Sequence, residues 1–336
     1  MLHFQKKGGQ MRICVPGGAG YVGSRLVPEL LALGHEVIVL DLFLYGSEFK
    51  ESKNLTLVKA DVRDLQTVDK VLAGCDAVIY LACISNDPSF ELNPTLGKSI
   101  NLDAFEPFVK LAVKHKIGRF IYASSSSVYG IKQEENVVED MSLEPLTDYS
   151  RFKAECETIL FKYLSDEFCC TVVRPATVCG YAPRQRLDVV VNILTNLAYH
   201  TGKVKVMGGP QMRPNIHIED MVRSYLLILE SPVEKIQGEI FNVGCHNHTV
   251  LDLGKMVQSI VGEKREIELV VETTNDPRSY HISSEKIEKV LGFTTQFTVQ
   301  DAVSDLVQAF EAGKLPDAMN DIRYFNIKTM QAVNLT

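Results

Sequence analysis

Arg12-Ile13-Cys14-Val15-Pro16-Gly17-Gly18-Ala19-Gly20-Tyr21-Val22-Gly23 is the stretch on which the reading of this chain turns. Its first four residues have the apolar character of a short buried strand, and residues 21–33, with Val22, Leu26, Leu30, Leu31 and Leu33, carry helical spacing. Gly17, Gly20 and Gly23 fall at the spacing that makes a tight turn, lets backbone approach a phosphate and seats a helix against a sheet. The helix N-terminus then holds an anion, because its first amides and its dipole both face the ligand. Gly17, Gly20, Tyr21, Val22 and Gly23 are therefore candidate cofactor contacts. A glycine turn can also simply end a strand, so the next element matters. Residues 36–40 read as a second strand ending in Asp41, about twenty residues on. A carboxylate there accepts hydrogen bonds from the adenosine ribose and repels a 2′-phosphate, which favours NAD over NADP.

Strand and helix patterns continue to alternate outward from this unit. Residues 55–59, 77–81, 119–123 and 171–174 read as strands, and residues 98–115 and 148–167 as helices. Such alternation predicts a parallel sheet with helices on both faces. The pattern loosens after Arg174, where prolines, glycines and basic residues precede a helix at 218–230, a strand at 239–243 and helices at 251–261 and 299–310. The expected fold is α/β, a Rossmann-type doubly wound parallel sheet with a smaller discontinuous C-terminal substrate domain. Residues 11–180 would form the NAD-binding domain, with 216–250 returning to it. Residues 181–215 and 251–315 would form the substrate domain, and 1–10 a loose extension.

Composition sets the outer limits. A chain of 336 residues can bury a substantial core, and 46% hydrophobic with 23% charged residues is ordinary for a globular protein. The net charge of −7 argues against nonspecific nucleic-acid binding. Eight cysteines show no metal-ligand or redox spacing, and several fall in predicted strands as small apolar side chains, which fits a reducing cytoplasm and no metal. No apolar run reaches the roughly 18 residues of a membrane span, and the first residues lack the apolar centre of a secretory signal.

The catalytic reading rests on Tyr149-Ser150-Arg151-Phe152-Lys153. Tyr149 and Lys153, four apart in a helical stretch, share one face. An ammonium close to a phenol favours the phenolate, lowering the tyrosine from its free pKa of about 10 toward a value useful to a general base. Lys153 is also placed to hold the nicotinamide ribose. The strand at 119–123 runs into Ser124-Ser125-Ser126-Ser127-Val128-Tyr129-Gly130, and hydroxyls at the C-terminal edge of a parallel strand face the ligand crevice. Taken singly, the serines could be a solvated loop and the Tyr-Lys pair a coincidence of spacing. Together with the glycine turn they point to proton and hydride chemistry.

At this point the chain resembles an extended short-chain dehydrogenase/reductase of the NAD-dependent epimerase/dehydratase group, which acts on nucleotide-diphosphate sugars. The resemblance spans nearly all of residues 11–310. Besides the motifs above it rests on Asp61-Val62-Arg63-Asp64, Leu81-Ala82-Cys83, Asn101, Arg174-Pro175-Ala176, Arg213-Pro214-Asn215-Ile216-His217-Ile218-Glu219-Asp220 and Asn242-Val243-Gly244. It implies that Asp61 and Val62 contact the adenine, although an aspartate there is as readily a helix N-cap. It places Leu81, Ala82, Cys83 and Asn101 at the cofactor, and Ser125 on the sugar hydroxyl that is oxidised while Tyr149 takes its proton. Arg213 and Arg278 would grip the substrate diphosphate, the competing reading being surface ion pairs. Arg184 and Arg186 would frame the sugar or phosphate, Ser126 would touch substrate, and Asn192 would meet the diphosphate. His217 and Asp220 read as structural. A homodimer is implied through 98–115 and 148–167, where Phe105, Phe108, Val109 and Ala112 could form that face or simply core.

Departures from the family pattern narrow the chemistry. Pro16 stands where threonine is usual, and Cys83 replaces a common alanine. Dehydratases follow the reactive hydroxyl with an Asp-Glu pair, but here those positions are Ser126 and Ser127, which cannot act as that acid and base. Sugar 4,6-dehydration is therefore disfavoured. Residues 176–192 resemble a subgroup that includes GDP-heptose 4-oxidising enzymes. An epimerase that oxidises C4 and returns the hydride comes first. Next is a net C4 oxidase or reductase of a nucleotide sugar such as a GDP-sugar. A non-catalytic NAD-sensing regulator comes last, since such proteins generally lack the tyrosine or lysine.

Overall fold

The computed structural model describes residues 9–85, 87–134, 136–274, 279, 281–333 and 335. Its strands are β1 (Arg12–Pro16), β2 (Glu36–Asp41), β3 (Leu55–Lys59), β4 (Ala77–Tyr80), β5 (Arg119–Ala123) and β6 (Cys169–Pro175), followed by β7 (Thr177–Cys179), β8 (Lys203–Met207), β9 (Met212–His217), β10 (Glu239–Val243), β11 (His246–Thr249) and β12 (Glu268–Glu272). Seven of them form one parallel sheet in the order β10-β6-β5-β4-β1-β2-β3. This is the doubly wound α/β fold, and the seven strands include every strand expected from the sequence. The order reverses between β1 and β4, which opens a crevice at the C-terminal ends of the strands.

Both faces of this sheet are covered, which explains its continuous apolar strands. Ile13, Val15, Val37, Val39 and Ile79 point into one core, and their neighbours Cys14, Ile38, Leu40, Val78 and Tyr80 into the other. Phe105, Phe108, Val109 and Ala112 are fully buried in the second core, around the Tyr80 ring, so they are core rather than an exposed face. The cysteines are free thiols, six of them buried.

The single helix expected at 98–115 is instead broken. Pro94–Lys98 leads into a wider π-helical turn at Ser99–Asp103 and then into Phe105–Lys114. An extra residue accommodated in a π turn re-aims the side chains around it, and Asn101 lies in that turn. Beyond β6, β11-β9-β7 form a three-stranded sheet and β8 pairs with β12. Helices Val190–Thr201, Val250–Gly262 and Val299–Glu311 pack around Val204 and Val206 of β8 through Val191, Leu194, Val257 and Val303. Residues 281–293, expected in the substrate part, send Ile282, Ile287 and Phe293 into the core of the large sheet. Among the described residues no helix is long and apolar enough to cross a membrane.

Candidate active site

The glycine run forms the floor of a cleft of about 600 Å³ at the C-terminal edge of the sheet. Gly17 turns out of β1 with φ +76°, and a Cβ there would lie 2.6 Å from the Ala82 amide nitrogen. Only glycine lets the turn lie so close to the loop after β4. The Asp41 carboxylate accepts from the Ala19 amide at 3.0 Å and the Phe43 amide at 2.8 Å, tying the end of β2 to the same turn. Burial raises the pKa of Asp41 while those amides oppose the rise. Gly20, Tyr21, Val22, Gly23, Asp61, Val62, Leu81, Ala82 and Cys83 also line the cleft. Asp61 is not a helix cap: its carboxylate takes Arg63 Nε at 3.0 Å and Nη2 at 2.8 Å, and Asp64 caps the helix Leu65–Leu72.

Ser125, Ser126, Tyr149 and Lys153 line the same cleft. Thr147 caps the helix Asp148–Phe161, which presents Tyr149, Lys153 and Glu157 on one side. Lys153 Nζ donates to the Ala123 carbonyl at 2.6 Å and stands 5.0 Å from the Tyr122 ring centroid and 5.9 Å from that of Tyr149. The expected lowering of the Tyr149 pKa by Lys153 is corrected here. Burial holds this phenol well above the ordinary tyrosine value and Cys83 and Asp87 add to the rise, while Arg186 and the Ser125 hydroxyl act against it. From Ser125, a line of hydroxyls leads away: Ser125 Oγ to Ser127 Oγ at 2.8 Å, Ser127 to Ser150 at 2.8 Å, Ser150 to Thr147 at 3.0 Å, and Thr147 donating to Asp87 at 2.5 Å. Thr147, Ser150 and Asp87 escaped the sequence reading, although hydroxyls flanking Tyr149 were the visible signal.

Two residues expected at ligands are instead internal. Asn101 accepts from the Ile84 amide at 2.8 Å and donates to the Ile84 carbonyl at 3.0 Å, so its amide holds the loop after β4. Asn192 is fully buried; it accepts from the Gly180 amide and donates to Tyr21 Oη and the Arg186 carbonyl. Tyr21 Oη in turn donates to the Gly180 carbonyl at 2.6 Å. Arg186 donates from Nε to Asp188 at 2.7 Å and lines the cleft together with Arg184 and Arg213. Arg278 lies outside the described residues. His217 caps the helix Ile218–Glu230 by accepting from the Glu219 amide, and the Asp220 carboxylate holds the Gln296 and Phe297 amides.

A family model, the NAD dependent epimerase/dehydratase family, matches residues 13–244. The chain belongs to that family. It is 26% identical over 304 residues to a UDP-glucose 4-epimerase from Lactobacillus helveticus, covering 84% of this chain and 92% of that protein. It is also 26% identical over 320 residues to a dTDP-glucose 4,6-dehydratase from Streptomyces niveus, covering 89% and 92%. A solved UDP-glucose 4-epimerase from Thermotoga maritima, crystallised with UDP-glucose, superposes with a TM-score of 0.80 at 25% identity, covering 90% of this chain and 99% of that one. The protein is thus an NAD-dependent enzyme of the short-chain dehydrogenase/reductase type. The site fits the family's cofactor: the glycine turn packs on backbone, Asp41 closes β2 beside it, and two buried arginine nitrogens, Arg184 Nε and Arg186 Nη2, lack a protein partner among the described residues.

Proposed function

We propose that the protein is a nucleotide-sugar epimerase that oxidises the sugar C4 hydroxyl transiently and reduces the keto sugar from the other face. The observation that carries this reading is the meeting of Ser125, Tyr149 and the glycine turn in one cleft, with Ser126 and Ser127 at the positions where a dehydratase needs an acid and a base. NAD, when bound, supplies the hydride acceptor at its nicotinamide. Tyr149 takes the C4 hydroxyl proton, and Ser125 holds that oxygen and hydrogen-bonds the phenolate that must form. Arg186 favours the phenolate by its charge. Lys153, fixed to the end of β5 through Ala123, orients the nicotinamide ribose. Arg213, which lines the cleft, would meet the substrate diphosphate, as would Arg278. A homodimer is part of this proposal, and sedimentation tests it.

The line of hydroxyls from Ser125 to Asp87 supports a second reading, net C4 oxidation, because a proton lost for good needs a way out. Incubation with UDP-, GDP- and dTDP-hexoses separates the two. C4-epimeric product without accumulation of reduced nicotinamide supports the epimerase. Keto sugar with stoichiometric reduced nicotinamide supports the oxidase. No change in any of these sugars removes both.

A further inference from the structure

Arg184 is expected from the sequence to frame the sugar or its phosphate, but its partners are Ser24 after the glycine turn, Tyr45 past Asp41 and Asn326. Its backbone N–H donates to Ser24 Oγ at 3.2 Å, which sets the residue beside the first turn of the helix Gly23–Ala32. Its guanidinium stacks on Tyr45, 3.7 Å from the ring centroid, on the loop just past Asp41. Nη2 donates to Asn326 Oδ1 at 2.6 Å, and Nε has no partner among the described residues.

This cation is 5% exposed and, among the described residues, makes no ion pair. The carboxylates whose charge acts on it, Asp188 and Asp41, are engaged elsewhere. Asp41 holds the Ala19 and Phe43 amides, and Asp188 holds Arg186 Nε and the Asn326 amide. Burial pulls the Arg184 pKa down to about 10. A guanidinium withdrawn from water and left without an anion is costly, so a buried one at the rim of a ligand cleft points to an anion supplied by the ligand.

We infer that Arg184 is a ligand of the dinucleotide diphosphate beside the N-terminus of the helix Gly23–Ala32, and that the helix Asn326–Ala332 belongs to the cofactor site. The guanidinium fork would match paired phosphate oxygens, and the first amides of the helix Gly23–Ala32 would serve the same anion. Tyr45 stacking and the Asn326 bond fix the plane of the fork before the ligand arrives, so little conformational entropy is lost on binding. Asn326 is itself pinned, because its Nδ2 donates to Ser85 Oγ at 2.7 Å beyond β4 and its amide to Asp188 at 2.7 Å. Met330 from the same helix, and Leu335 beyond it, line the cleft. Cofactor release then requires this latch to open. The inference holds whether or not the hydride returns to the sugar, and its test uses no turnover.

A diphosphate is common to the cofactor and to a sugar nucleotide, so calorimetric titrations of the full-length protein with NAD, ADP, adenosine and UDP distinguish them. R184Q is expected to weaken NAD and ADP by roughly 10- to 100-fold, the scale of a lost charged hydrogen bond, and to leave adenosine and UDP unchanged. N326A, which keeps the cation and removes its anchor, is expected to weaken NAD by a smaller factor and speed its release. Unchanged NAD and ADP with weakened UDP would assign Arg184 to the substrate and overturn the inference. Equal loss for adenosine overturns it too, since no phosphate is then involved. Should R184Q fail to fold, N326A decides: NAD affinity and release equal to those of the unaltered protein overturn the latch.

Discussion

Glu157 and Arg174 form an ion pair almost wholly excluded from solvent, with Arg174 Nη2 2.7 Å from Glu157 Oε2 and Nε 3.1 Å from Oε1. Glu157 also accepts the Ser124 hydroxyl, and Arg174 Nη1 donates to Tyr129 Oη at 2.7 Å and the Glu139 carbonyl at 3.0 Å. The pair thereby fastens the helix that carries Tyr149 and Lys153 to the ends of β5 and β6. Glu157→Ala leaves the Arg174 charge buried and unpaired, so it should cost about 3–5 kcal/mol of stability. Denaturant unfolding monitored by circular dichroism checks this, and a loss below about 1 kcal/mol would mean the network reorganises around the gap.

Tyr149→Phe removes the only proton acceptor in the proposed mechanism and little binding surface. Turnover should fall by about 10²- to 10⁴-fold, the usual worth of a positioned acid or base, with NAD affinity nearly intact. Steady-state kinetics and a binding titration measure the two quantities separately. Turnover near that of the unaltered enzyme would take Tyr149 out of the mechanism.

The direction of the Tyr149 shift sets a pH dependence. A phenol held above its ordinary pKa carries less phenolate at any given pH, so kcat/KM should climb with rising pH through the neutral range and level off only when Tyr149 ionises. Arg186 favours the phenolate, so Arg186→Gln should move the profile toward higher pH. A profile flat from neutral to alkaline pH would contradict this assignment of the base.

In the proposed reading Asp41, which accepts from the Ala19 and Phe43 amides, selects the cofactor through its charge. Asp41→Ala removes both bonds and the repulsion of a 2′-phosphate. NAD should bind more weakly, by roughly 1–3 kcal/mol, and the preference over NADP should narrow. Parallel titrations with the two dinucleotides give the ratio, and an unchanged ratio would show that Asp41 does not select.

Gly130 ends the turn Ser126–Tyr129 at φ +68°, and a Cβ added there would collide with the Glu144 carbonyl. Gly130→Ala should therefore destabilise the fold by about 2–5 kcal/mol, combining the left-handed backbone penalty with overpacking. Thermal unfolding reads this directly, and an unshifted midpoint would show that the turn can yield.

Much of the architecture was legible because local rules govern it. Strands buried on both faces, such as 36–41 and 77–80, appear as short apolar runs, whereas only the folded sheet puts 55–59 and 239–243 at its two edges. Lys203-Val204-Lys205-Val206-Met207 alternates exposed and buried residues as β8 does, yet a two-stranded pairing across some sixty residues leaves no mark at either strand. The break of the helix at 99–103 was hidden as well, since no single residue there forbids an α-helix.

The sequence alone determined the dinucleotide turn, the Asp41 that follows it and the Tyr-Lys face, because each depends on spacings within a few tens of residues that backbone geometry converts into position. Only the tertiary structure decided what the buried polar groups touch. Asn101 turns to Ile84 and Asn192 to Gly180, and Arg184 lies between Ser24 and Asn326, partners 160 and 142 positions away. A buried donor must take whatever acceptor packing brings to it, and that neighbour is chosen by the whole fold rather than by the residues beside it in the chain.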